Sequence, residues 1–152
     1  MKIGLMLILL FAAYNSSVDA ARPQSSDLVG RWKIDMTFDN ESKRSFSFDA
    51  EDSGRGSLLL ELPQDNWIEP ARPSQVKWMT GAEKNVTFSA PVAFPAGEAG
   101  SETGMLVFKG TFKSEIIITG DIEFFHMDQN PMDSKAIPFK TGKFEATRVR
   151  AK

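Results

Sequence analysis

Three features of this chain predict an all-β fold: an antiparallel up-and-down meander of about eight strands, closed into a barrel. Apolar and polar residues alternate with period two through segment after segment from Trp32 to Thr147. Between those segments no run repeats apolar residues at helical spacing, so successive strands connect directly and pair antiparallel. A sandwich would show the same alternation, and closure therefore rests on the chain ends. Gly30-Arg31-Trp32 heads the first strand, and Phe144-Glu145-Ala146-Thr147-Arg148 offers a matching arginine on the last.

The elements follow in order. Residues 1–20 carry Lys2, an apolar run from Ile3 to Ala13, and Val18-Asp19-Ala20. This is the pattern of a secretory signal cleaved after Ala20, and the run is short for a membrane span. Residues 21–27 read as a flexible segment and 28–152 as a single β-barrel domain, long enough to bury a core unaided. Cysteine is absent, so neither a lipid anchor on cysteine nor a disulfide is available. Trp32, Ile34, Met36 and Phe38 share the inner face of strand A. Phe46 and Phe48 do so in B, Leu58, Leu60 and Leu62 in C, and Val76 and Trp78 in D. Strand E places Val86, Phe88 and Ala90 inward, with Val92 and Phe94 beyond Pro91. Strand F contributes Leu106, Phe108 and Phe112, G contributes Ile116, Ile118, Ile122 and Phe124, and H contributes Phe144 and Ala146.

Short polar turns close A to B (39–41), B to C (52–56), D to E (from Thr80-Gly81) and F to G (113–115). Three connections are longer, at 63–75, 95–104 and 126–138. In a meander every second connection lies at the same end, so the three long loops gather with the A–B turn at one mouth. Loops clustered on a rigid scaffold commonly carry binding. The same parity sends Gly30, Trp32 and Arg148 to the opposite end, where Arg148 points inward over Trp32 as a closing plug.

Gly30-x-Trp32 with an inward arginine on the final strand resembles the lipocalin and calycin signature. The frame from Asp27-Leu28-Val29-Gly30-Arg31-Trp32 through Pro138-Phe139 to Phe144–Val149 also resembles small exported bacterial β-barrel proteins of unassigned function. The family's middle T-D-Y element has no counterpart, Thr119-Gly120-Asp121 standing nearest, so the likeness is to lipocalin-like barrels. It implies a barrel closed at the Trp32 end and open at the other, often holding an apolar ligand.

Composition narrows the functions further. The net charge of −2 gives no electrostatic case for nucleic acid or an anionic membrane. An enzyme is not expected: the inner faces are nearly all hydrocarbon, and the lone histidine, His126, has no nucleophile motif beside it. His126, Met127, Asp128, Met132 and Asp133 lack a recognisable ligand spacing, so no metal and no cofactor is expected. Asn40 and Asn85 begin glycosylation sequons that matter only in a eukaryotic secretory pathway. Two positive readings remain. In one, an exported monomeric barrel holds a small apolar molecule at the mouth, lined by Phe38, Phe46, Leu62, Trp67, Val76, Phe94, Leu106, Phe124 and Met127. Trp67, in a proline-rich loop, is then either a lid or a side chain tucked against the wall. In the other, the barrel binds a protein partner, as a secreted protease inhibitor does, with residues 21–26 as an inserting arm. An envelope domain without ligand stands beside both. Whether side chains fill the interior or leave it hollow decides among them.

Overall fold

A computed structural model describes residues 27–62, 72–96 and 100–150. The signal segment 1–20, the segment 21–26 and Trp67 lie outside the described residues. Eight strands follow one another: β1 (Gly30–Phe38), β2 (Lys43–Ala50), β3 (Arg55–Glu61), β4 (Ser74–Thr80), β5 (Asn85–Pro95), β6 (Ser101–Ser114), β7 (Ile117–His126) and β8 (Lys140–Arg148). Each pairs antiparallel with the next, and β8 pairs with β1, from Trp32↔Arg148 to Phe38↔Gly142, to close the barrel. The predicted all-β meander is the observed fold.

Alternation sets the two faces of the wall. In β1, Trp32, Ile34, Met36 and Phe38 are buried while Arg31, Lys33 and Asp35 are exposed. Outer residues pair across strands, as in Lys109–Glu123 at 2.6 Å, Lys143–Asp121, and Arg31–Asp49 at 2.8 Å. An apolar interior inside a charged exterior is the reverse of the polarity of a membrane-spanning barrel. Phe88 stacks between Phe48 and Phe108, with centroids 4.8 and 4.4 Å away, and Phe144 meets both Phe88 and Phe108 edge-on. Room for Phe144 comes from Gly110 and Gly120, which face each other across β6 and β7. A Cβ on Gly110 would stand 2.8 Å from the Phe144 ring and 2.7 Å from Ile118. Val107 and Phe125 face outward by parity and are buried nonetheless.

Three details depart from the sequence reading. The expected long loop at 95–104 is a hairpin connection of residues 96–100, because the β5–β6 ladder runs on through Phe94↔Glu102 and Pro95↔Ser101. Gly104, which read as loop, lies within β6, and the Phe124 ring fills the space its side chain would take. Ile116 belongs to the β6–β7 turn and is exposed, since a register shift between Phe112 and Ser114 moves the turn to 115–116. Leu62 lies past the end of β3 and is half-buried. The two long connections that remain, 62–73 and 127–139, open at the same end of the barrel as the β1–β2 turn.

Candidate functional site

Gly30, Trp32 and Arg148 come together at the end opposite the long loops. Trp32 is fully buried, and its indole N–H donates to Leu28 O at 2.8 Å. The Arg148 guanidinium lies over that ring, with Cζ 4.4 Å from a ring centroid. Its Nη1 donates to Val29 O at 2.8 Å, its Nε to Glu115 O at 3.0 Å, and its Nη2 to Asp27 O. Gly30 has φ 129°, and a Cβ there would sit 3.1 Å from Arg148 Nη1. Glycine is favoured on both counts. The arginine fork thus ties the chain before β1 and the β6–β7 turn to the end of β8.

At the other end, Phe38, Phe46, Phe94 and Phe124 form one cluster. Phe94 touches the other three at 5.9, 6.2 and 5.4 Å between centroids. None of the four is more than 4% exposed, so these rings fill the axis of the mouth instead of lining an open one. Two cations lie over them: Arg44 Cζ is 5.6 Å from Phe94, and Lys140 Nζ is 5.8 Å from Phe38. Lys140 also pairs with Glu102 at 2.6 Å. Leu106 and Val76 are buried in the same core, while Met127 stands on the β7–β8 connection at 57% exposure.

Among the described residues, an opening lies in the side wall. The β3–β4 register ends at Leu58↔Ser74, and the β4–β5 register ends at Lys77↔Ser89. Towards the mouth, β4 therefore stays with β3 and leaves β5, and β3 and β5 each continue with one described neighbour. Backbone polarity explains where this happens. Gly81 N–H donates to Asn85 O, so odd-numbered residues of β5 turn their N–H and C=O towards β4. Ala96 N–H donates to Gly100 O, so even-numbered residues turn towards β6. Pro91 and Pro95 are both odd. Each presents a nitrogen without hydrogen where β4 would need a donor, and the ladder to β4 stops before the first of them.

A cleft of about 360 Å³ occupies this gap. Leu60 and Val92 supply its apolar lining over the buried Phe46 and Leu58, Pro73, Pro91 and Ala93 its sides, and Arg72, Ser74 and Thr103 its polar groups. Of the described residues expected at the mouth, Phe46 alone borders it. The others named here escaped the sequence reading because the gap arises from register. Its signal was Pro91 inside an alternating segment, with Pro95 at the same parity. Among the described residues, no three His, Cys, Asp or Glu side chains gather in a metal-binding arrangement.

No protein-family model matches the chain, and no curated protein matches it. Two solved structures are similar in shape. The redesigned β-barrel b11L5F_LGL is 12% identical with a TM-score of 0.46, over 87% of this chain and 98% of its own. EF1p2_mFAP2b bound to DFHBI is 11% identical with a TM-score of 0.51, over 84% of this chain and 97% of its own. At that identity the likeness to the second shows the barrel fold alone.

Proposed function

We propose that this chain is an exported, non-enzymatic, lipocalin-like barrel that binds a small apolar molecule, and that the molecule enters sideways between β3 and β5. The cleft carries this reading. Its volume falls within the roughly 300–1,000 Å³ usual for small-molecule sites, and its apolar lining with a few polar groups matches their composition. The aromatic cluster at the mouth favours the lateral route over an axial one. A structure similar in fold, EF1p2_mFAP2b, is bound to DFHBI, which is compatible with ligand binding on this architecture. The signal-like residues 1–20 support export to a periplasm or the cell exterior.

Organic extraction of the purified protein followed by mass spectrometry tests the reading, together with titration of a neutral apolar probe into Ala93→Trp. Ala93 is exposed at the cleft wall, so an indole there obstructs the cleft while the core stays packed. The expected result is a co-purifying or titratable apolar compound whose binding falls at least tenfold in the variant, the scale of about 1.4 kcal/mol. Equal binding by wild type and Ala93→Trp would place the ligand elsewhere.

A further inference from the structure

The polar residues of the cleft have a consistent sign. Among the described residues, Arg72 is its one charged lining residue, Ser74 and Thr103 add hydroxyls, and no carboxylate lines it. Arg44 follows one inward position beyond Phe46 on β2, with its guanidinium over Phe94, which packs on Phe46. The ion pairs among the described residues take up Arg31, Lys33, Lys109, Lys140 and Lys143, and neither Arg44 nor Arg72. Two neighbouring carboxylates among the described residues are already engaged: Glu61 accepts a hydrogen bond from Ser47 Oγ, and Glu102 holds Lys140. The described residues thus give the cleft a positive rim on a protein whose net charge is −2. The β5 edge excludes the other obvious occupant. A peptide strand needs a run of donors there, and Pro91 and Pro95 remove two of the three between Pro91 and Pro95.

We infer that the ligand of the β3–β5 cleft is an anionic amphiphile. Its apolar body lies along Leu60, Pro91 and Val92, above the buried Phe46 and Leu58, and its single oxyanion group meets Arg72 beside Ser74. This rests on the small-ligand reading above and adds the charge of the ligand. A guanidinium and a hydroxyl together supply the directed donors that a carboxylate or comparable oxyanion accepts, and a neutral alcohol gains little from the same pair.

Isothermal titration of the purified protein with decanoate, decanol and decylamine, each below its aggregation threshold, tests the inference. Decanoate is expected to bind about tenfold more tightly than decanol, the ratio of a charge-assisted hydrogen bond partly open to water. Arg72→Gln should lower decanoate binding to the decanol level and leave decanol unchanged; Arg72 is exposed, so the fold survives the change. Added salt should narrow the gap between the two probes. Decanol binding as tightly as decanoate, decylamine binding more tightly, or Arg72→Gln weakening decanoate and decanol alike would overturn the anionic assignment while the cleft reading stands. Binding of none of the three would remove the small-ligand reading itself and this inference with it.

Discussion

Replacing Arg148 by alanine tests the logic of the closed end most directly. The side chain makes three hydrogen bonds to backbone carbonyls, those of Asp27, Val29 and Glu115, and lies 4.4 Å from a Trp32 ring centroid. Bonds from a charged donor contribute ~1.5–3 kcal/mol each when buried, but this side chain is partly open to water, which brings each to about 0.5–1 kcal/mol. The cation–π contact adds about 1 kcal/mol. Arg148→Ala should thus destabilise the barrel by roughly 2–4 kcal/mol, with a fall in Tm of about 10 °C. Urea unfolding followed by tryptophan fluorescence measures it, with a lower midpoint and an unchanged slope expected. Arg148→Lys keeps the charge and loses the planar fork, so it should recover less than half of the loss. Trp32→Phe removes the donor to Leu28 O, and its effect should couple to that of Arg148→Ala by at least about 0.5 kcal/mol in a double-mutant cycle. A loss under about 0.5 kcal/mol for Arg148→Ala would show that barrel closure owes nothing to the fork. Full rescue by lysine would show that charge alone suffices.

Phe88→Ala removes the middle ring of the Phe48–Phe88–Phe108 stack and should cost about 3–5 kcal/mol in urea unfolding; a cost below about 1 kcal/mol would mean that the interior is not packed around it. Gly110→Ala drives a methyl against Ile118 and Phe144 and should destabilise by about 1–3 kcal/mol, with Phe144→Leu relieving part of it; additive effects of the two changes would contradict that geometry. Lys143 has its pKa raised above the ordinary 10.5 by the hydrogen bond it donates to Asp121 and then by that carboxylate's charge. A raised folded-state pKa gives a contribution complete below pH 10.5 and lost as pH climbs past the folded value. The stability difference between wild type and Lys143→Gln should therefore be constant from neutral pH to about 10 and shrink above it; a difference that grows in alkali would reverse the sign.

Local pattern and non-local register explain what the sequence disclosed. Period-two alternation needs only neighbouring residues, which is why the inner faces of β1, β2, β5 and β8 were readable from Trp32 to Ala146. Closure was readable because Gly30, Trp32 and Arg148 are each unusual at their position: a glycine before a strand, a tryptophan heading it, and an arginine on an inward face. The hairpin at 96–100 was misread because Pro95 and Gly104, which bound the expected loop, both resemble loop residues. Proline is tolerated on a strand whose nitrogen faces no partner, and glycine where a neighbouring ring takes its space. The cleft was illegible for a stronger reason. Where β4 parts from β5 depends on the pairing of Lys77 with Ser89 and of Leu58 with Ser74, and no single segment encodes either.

The two ends of the barrel treat arginine in opposite ways, which bears on where a ligand can bind. Arg148 spends donors from three of its nitrogens on backbone carbonyls of its own chain and stacks its plane on Trp32. A ligand at that end would have to displace the bonds that close the barrel, at a cost of roughly 2–4 kcal/mol by the same reckoning. Arg72 lies at the edge of an apolar cleft, and the ion pairs among the described residues leave it out. An anion there would gain hydrogen bonds without breaking the fold. The prolines that end the β4–β5 ladder have the same consequence from the other side of the gap. They hold the wall open against strand pairing, so the cleft persists as a feature of β5 and not as a frayed edge. Binding on this scaffold is therefore expected to respond to Arg72, Leu60 and Ala93, and stability to Arg148 and Trp32, with little exchange between the two sets.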